Sequence, residues 1–435
     1  MYKCRSLGRL FGVAALAASC ESSPDVGETA QPITCVSDDS CALDQVCDPA
    51  HKTCLRPPAT RNIDVLFLID NSPSMAPRQK ALAASFKSFM QKIEATGADY
   101  HVAVATSDVG STVAPDVVWR NIGTSCDTFA GDDGLLQAIP CTNRYNLSPE
   151  AMATCTALCP DPKYVPSGGA FIARTGGRTN VPAALVVDPK SGKTVDEGPV
   201  RAFQCMALVG DGGCGIEGQF EGAKRALDGH RLENSGFLRP DSMLAVIFIT
   251  DEDDCSVQLA RRAENNPDTR DCATPDANAS YDCFNADYRC QARSLVCNEA
   301  LNIPGIKTGC HERADSYLEP VQKYVDFFSS LRPSNRLFVS GIWTLPPLDG
   351  GGELNVVPRT GPSGSYSLNR LPQLCATESG GNAGAPQLRL SKLAQHFKGR
   401  GGVEVSLCDE GSYSSALNSM ATTILFKAGL SGAGG

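Results

Sequence analysis

The 435-residue chain lacks the sequence patterns typical of nucleic-acid binders and of zinc sites. It holds five histidines, scattered singly, no Cys-x-x-Cys pair and no basic run, and its formal net charge is −9. Removing the first nineteen residues, which carry Lys3, Arg5 and Arg9, changes the charge to −9 minus 3, or −12. An acidic chain of this composition is not expected to bind nucleic acid, and it is a poor candidate for a zinc site.

Two common hydrolase signatures are also missing. The sequence has neither a Gly-x-Ser-x-Gly nucleophile elbow nor a His-Glu-x-x-His motif. We therefore expect a protein that is not an enzyme. A metal-dependent hydrolase is the less favoured alternative, because a bound cation can activate water.

The N-terminus has the pattern of an export signal. An apolar segment, Leu10 to Ala18, follows the three basic residues and is too short to span a membrane. The stretch "LAASC" (Leu16 to Cys20) resembles a bacterial lipobox, which implies cleavage before Cys20 and lipidation of that cysteine. We expect residues 1–19 to be a signal peptide and the product to be an outer-membrane lipoprotein or cell-surface protein, held by a lipid anchor. The alternative is a secreted or periplasmic protein.

Cysteine, by contrast, is abundant. Eighteen of the 20 cysteines remain once Cys4 and Cys20 are set aside, and an even number of this size favours disulfides in an oxidising compartment. Residues 20–34 are polar and contain two prolines, which predicts a flexible tether. Residues 35–56 are too few to build a core, so a small module stapled by two disulfides is expected, with three connectivities open to its four cysteines: Cys35, Cys41, Cys47 and Cys54.

From residue 62 to residue 427, apolar runs typical of buried strands alternate with amphipathic helical segments. Strands are predicted at 63–69, 100–106, 243–250, 337–342 and 403–407, and helices at 77–93, 217–230, 317–331, 388–397 and 413–426. This alternation predicts an α/β fold with a doubly wound, mostly parallel sheet and helices on both faces, in the manner of Rossmann-like domains. Cysteine-rich insertions interrupt it at about 110–205 and 255–310, and residues 428–435 form a flexible tail.

Carboxylates and hydroxyls follow the predicted strands where those strands end. Asp70 ends the first strand, Thr106 and Asp108 follow the second, and Asp251 to Asp254 follow the third. Parallel sheets bind ligands at this edge, and hard oxygen donors favour Mg²⁺, Ca²⁺ or Mn²⁺. Glu252, Asp253 and Asp254 are expected to form a solvated rim or to lie at a helix N-terminus.

Two motifs give this edge a family resemblance. "DNSPS" (Asp70 to Ser74) and "FITDEDD" (Phe248 to Asp254) resemble the metal-ion-dependent adhesion site, or MIDAS, of von Willebrand factor type A (VWA) domains. The resemblance implies Ser72 and Ser74 as direct ligands of a divalent cation, with Asp70 and Asp251 in supporting roles. It also implies a protein partner that contributes a carboxylate to the cation.

The motif departs from the family at one point. A threonine is normal in the loop before the central strand, whereas Glu217 stands there in "GDGGCGIEGQFEGA", with Asp211 a lesser candidate. A carboxylate would reduce the residual positive charge of the cation and so weaken its attraction for an anionic partner. The alternative function is therefore a structural cell-envelope scaffold with a closed or empty metal site.

Overall fold

The buried strands predicted from the sequence meet in one mixed sheet. The computed structural model describes residues 34–110, 131–144, 147–189, 192–214, 217–258, 290, 294–301, 303–345, 354–360, 367–370 and 386–430. Its strands, β1 to β16, are Val46–Asp48, Thr53–Leu55, Asn62–Ile69, Asp99–Thr106, Ile172–Thr175, Arg178–Thr179, Leu185–Val187, Thr194–Asp196, Met243–Ile249, Leu295–Val296, Gly305–Lys307, His311–Glu312, Leu337–Trp343, Leu354–Thr360, Ser367–Arg370 and Glu404–Ser406. Its helices, α1 to α7, are Ala76–Ala95, Pro149–Leu158, Gly198–Ala207, Gln219–Leu227, Val321–Leu331, Leu388–Lys398 and Tyr413–Lys427.

The main sheet has seven strands in the order β16-β13-β9-β3-β4-β5-β6. The five strands from β16 to β4 run parallel, while β5 pairs antiparallel with β4, and β6 with β5. The central strands β3 and β9 are buried along almost their whole length, as expected for strands covered on both faces. This confirms the predicted α/β class and the mostly parallel sheet.

Helices cover the sheet on both faces because alternate strand residues point to opposite sides. Phe67 and Ile69 of β3 pack in one core cluster with Phe86 of α1, and α3 and α7 supply the rest of that layer. Leu66 and Leu68 of β3 belong to the other cluster, which α4, α5 and α6 complete. The predicted two-sided covering of the sheet is therefore present.

The first insertion contributes more regular structure than its sequence indicated. Within the described part of 110–205, the short strands β5 and β6 extend the main sheet, and helices α2 and α3 pack beside α1. Disulfides Cys141–Cys155 and Cys159–Cys205 tie α2 to its surroundings. In the second insertion, Cys255 is joined to Cys290 and Cys297 to Cys310. Three further cysteines of the two insertions, Cys126, Cys272 and Cys283, lie outside the described residues.

The small N-terminal module is stapled by Cys35–Cys47 and Cys41–Cys54, which settles the pairing that the sequence left open. Its Asp38 accepts a hydrogen bond of 2.5 Å from Ser334 Oγ, and its Asp39 accepts one of 3.1 Å from Arg400 Nε. Ser334 and Arg400 precede β13 and β16, so the module docks at the amino edge of the sheet.

Six disulfides have both cysteines among the described residues, and Cys214 and Cys408 are disulfide-bonded as well. Such a framework indicates an oxidising, extracytoplasmic environment. No helix among the described residues has the length and apolar character that a membrane span requires. The predicted signal peptide, Cys20 and most of the tether lie outside the described residues, as does most of the tail.

Candidate metal centre

The carboxyl ends of β3 and β9 bring the two halves of the acidic motif together. The parallel ladder continues one residue beyond β3, where the Asp70 amide donates to the carbonyl of Ile249 at 2.9 Å. Asp251 lies two residues after Ile249, at the same edge of the sheet. Asp70 and Asp251 are both almost completely buried. The sheet itself therefore places Asp70 and Asp251 in one site.

Asp70 organises the loops around it by accepting hydrogen bonds. Its Oδ1 receives the Ser72 amide at 2.7 Å and the Ser107 hydroxyl at 3.2 Å, and its Oδ2 receives the Thr250 hydroxyl at 2.7 Å. Burial raises the pKa of Asp70, and the hydrogen bonds from Ser72, Thr250 and Ser107 oppose that rise. Because donors on three segments converge on this carboxylate, Asp70 fixes the relative positions of the ends of β3, β4 and β9.

A row of oxygens runs from the first motif to the second. Ser72 Oγ lies 3.0 Å from Ser74 Oγ, and Ser74 Oγ donates to Asp251 Oδ1, also at 3.0 Å. The two serines come together because a short 3₁₀ turn, Pro73–Met75, leads into α1 directly after Ser72. Two hydroxyls and a carboxylate in contact are hard, mostly neutral donors, which is the chemistry that Mg²⁺, Ca²⁺ and Mn²⁺ prefer.

The structure adds a residue that the sequence did not indicate. Arg78, one helical turn after Ser74, donates through Nη1 to Asp251 Oδ2 at 2.5 Å and to the Ser74 carbonyl at 3.1 Å. Its side chain is only 2% exposed, like that of Asp251. In the sequence, Arg78 is one of several charged residues of α1, among them Lys80 and Lys87, which are exposed, so nothing in the pattern marks it as buried.

A loop between α3 and α4 closes over the motif. Gln79 donates to the carbonyls of Asp70 at 3.1 Å and Gly210 at 2.6 Å, and it accepts from the Gly210 amide at 3.1 Å. The Gly213 amide donates to the Asn71 carbonyl at 2.8 Å, and a Cβ at Gly213 would lie 2.4 Å from Asn71 Cγ. Only glycine allows this loop to approach so closely.

Glu217 follows on the same loop, and its backbone lies beside the site. Its carbonyl accepts from the Cys255 amide at 2.7 Å. The next amide, Gly218, donates to the carbonyl of Ser107 at 2.9 Å, and Ser107 in turn contacts Asp70. Glu217 as a whole is 2% exposed, and its role as a ligand stays a prediction. Asp211, the lesser candidate, instead accepts the Ser148 amide at 2.9 Å, just before α2.

Of the three remaining acids of "TDEDD", Asp253 and Asp254 hold helices in place, while Glu252 is half-buried. Asp253 accepts the amides of Leu388, Arg389 and Leu390 at 3.0–3.2 Å and thereby caps α6, although burial raises its pKa to about 6. Asp254 accepts the Phe220 amide at 2.9 Å and pairs with Arg389 at 3.0 Å. Both are buried, so of the two expected roles the helix N-terminus applies to them and the solvated rim does not.

A second group of possible metal ligands lies in the N-terminal module. The Sγ atoms of Cys35, Cys41 and Cys47 lie within 4.8 Å of one another. All three sulfurs belong to disulfides, however, and metal ligation needs the thiolate. In the oxidised protein this group therefore stabilises the module, and the oxygen-rich edge of the main sheet is the better candidate centre.

Neither a family model nor a curated protein matches the sequence.

Proposed function

We propose that this chain is an exported VWA-type binding module that holds a divalent cation at its MIDAS-like motif and captures a carboxylate of a protein partner. The observation that carries the proposal is the continuous row of oxygens formed by Ser72, Ser74 and Asp251 at the ends of adjacent parallel strands. The donor set fits a hard cation and offers no sulfur or imidazole that would favour zinc or copper.

The residues divide into two roles. Ser72 and Ser74 would hold the cation through their hydroxyls, with Asp251 beside them and Glu217 as a further ligand candidate. Asp70 would support them, since both of its oxygens already accept hydrogen bonds from the protein. The cation would supply the positive charge that attracts a partner's carboxylate.

The placement of the N-terminal module supports display at a cell surface. We infer that lipidated Cys20 anchors the chain to the outer membrane through the tether at residues 20–34. The module docks at the amino edge of the sheet, through Ser334 and Arg400. The tether would therefore join the domain at the edge opposite the candidate centre, and that edge would face the membrane. The carboxyl edge would then face away from the membrane, where a partner can approach it.

Calorimetric titration of the purified protein with Mg²⁺, Mn²⁺ and Ca²⁺ tests the first half of this function. We expect saturable binding of at least one of them, loss of binding in Ser72→Ala, and unchanged binding in Ser88→Ala, which removes a hydroxyl from the middle of α1. No heat and no thermal stabilisation with any of the three cations, in either the wild type or Ser72→Ala, would defeat the proposal.

One observation favours a second candidate, the structural scaffold with a closed site. Arg78 already supplies a positive charge to Asp251, so the carboxylate has a partner within the chain. The substitution Glu217→Thr separates the two functions. A binding module predicts altered cation-dependent partner binding, whereas a scaffold predicts a change in unfolding free energy alone.

A further inference from the structure

We propose that Arg78 is a built-in cation that sets the metal affinity of this centre by neutralising Asp251. This inference rests on the proposed function, because it concerns how strongly the same site binds a divalent cation. It makes the site bind a divalent cation less tightly than the same residues would without the arginine.

The geometry divides the Asp251 carboxylate between two partners. Oδ1 accepts the hydroxyl of Ser74 at 3.0 Å, on the side of the predicted ligands, while Oδ2 accepts Nη1 of Arg78 at 2.5 Å. The same nitrogen also donates to the Ser74 carbonyl at 3.1 Å. The guanidinium is thus tied to Ser74 and Asp251, two of the residues proposed to surround the cation, and it lies where it offsets the negative charge of Asp251.

Burial makes this charge effective. Arg78 and Asp251 each have 2% of the side chain exposed, so water and salt screen their charges far less than at the surface. A cation entering beside Ser74 would therefore meet a carboxylate that is already paired.

The charge of Arg78 offsets the departure from the family motif at Glu217. The two aspartates carry −2, Glu217 brings this to −3, and Arg78 returns it to −2, which one divalent cation balances. A neutral residue at 217 and no arginine would also leave −2. We therefore expect the affinity for a divalent cation to fall as the formal charge of these four residues becomes less negative. The tightest binding is expected for Arg78→Met at −3, followed by the wild type at −2 and Glu217→Gln at −1.

Titration with Mn²⁺ as the probe, in the full purified chain, tests this order. We expect Arg78→Met to bind Mn²⁺ at least tenfold more tightly than the wild type, and Arg78→Lys, which keeps the charge, to stay within threefold of it. Arg225→Met removes an arginine that pairs with Glu221, outside the site, and should also stay within threefold. The double variant Arg78→Met/Glu217→Gln should return to within threefold of the wild type.

The outcomes separate this inference from the proposed function. Equal affinity in the wild type and Arg78→Met would overturn the role of Arg78 while leaving the cation site in place. Absence of Mn²⁺ binding in every variant would overturn the proposed function and this inference with it. If Arg78→Met does not fold in metal-free buffer, recovery of its folding on adding Mn²⁺ supports the inference, and failure to recover at 100-fold molar excess contradicts it.

Discussion

The ion pair between Arg78 and Asp251 leads to a prediction that can be tested without a metal ion. In Arg78→Met, the Asp251 carboxylate would stay buried without its guanidinium partner, since only 2% of either side chain is exposed. Removing one partner of a buried ion pair costs about 3–5 kcal/mol. We expect a loss of this size in the free energy of unfolding, measured by urea denaturation in EDTA with the disulfides intact.

Two comparison variants make the result interpretable. The pair Lys224–Asp228 on the protein surface has side chains 23% and 21% exposed, so Lys224→Met should cost no more than about 1 kcal/mol. The double variant Arg78→Met/Asp251→Asn removes both buried charges and should recover at least half of the loss. The reasoning would be refuted if Arg78→Met cost less than about 1 kcal/mol, or if the double variant lost as much as the single one.

Three further predictions concern the surroundings of the centre and the far edge of the sheet. Gly213→Ala would place a Cβ 2.4 Å from the Asn71 side chain, and we expect it to lower the free energy of unfolding by about 1–3 kcal/mol; an unchanged urea midpoint would contradict the close approach. Asp253→Ala should cost about 1–2 kcal/mol because α6 loses its cap, and retention of full stability would contradict that role. Burial lowers the pKa of Lys427 from 10.5 to about 8. The unfolded chain therefore holds more protons between pH 8 and 10.5, and wild-type stability should rise relative to Lys427→Met across that window, by on the order of 3 kcal/mol; a flat difference between the two proteins would contradict it.

The long apolar strands and the helices between them could be predicted closely from the sequence. The prediction of a strand at 63–69 differs by one residue from Asn62–Ile69, and the prediction of a helix at 388–397 differs by one from Leu388–Lys398. In these elements the period of the apolar residues and the burial agree, so local pattern and tertiary structure give the same answer. The helix predicted at 317–331 begins later, at Val321, because Pro320 precedes it in an extended conformation.

The edge of the sheet within the first insertion could not be predicted in this way. Ile172–Thr175 and Arg178–Thr179 are short, and most of their residues are partly or fully exposed, so no buried apolar run marks them. Helix Gly198–Ala207 lies among Gly and Pro residues that resembled loop sequence, although most of its side chains are buried. The sequence shows the hydrophobic residues of this helix, but it does not show the surface of α1 against which they pack.

The candidate centre, too, could be predicted from the sequence only in part. The sheet brought Asp70, Ser72, Ser74 and Asp251 together because parallel strands end at one edge, and that rule can be applied to a sequence. The buried position of Arg78 could not be inferred, since a charged residue in a helix is ordinarily assigned to the solvent face. The capping role of Asp253 also depends on a helix more than a hundred residues away in the chain.

The central claim is that a divalent cation binds between Ser72, Ser74 and Asp251. A crystal structure of the protein grown with Mn²⁺, recorded at a wavelength where manganese scatters anomalously, tests this claim most directly. The account predicts one anomalous peak at ~2.0–2.6 Å from the hydroxyls of Ser72 and Ser74, with the Glu217 carboxylate in or beside the coordination sphere. Saturating Mn²⁺ with no peak at this edge, and Arg78 still paired with Asp251, would contradict it.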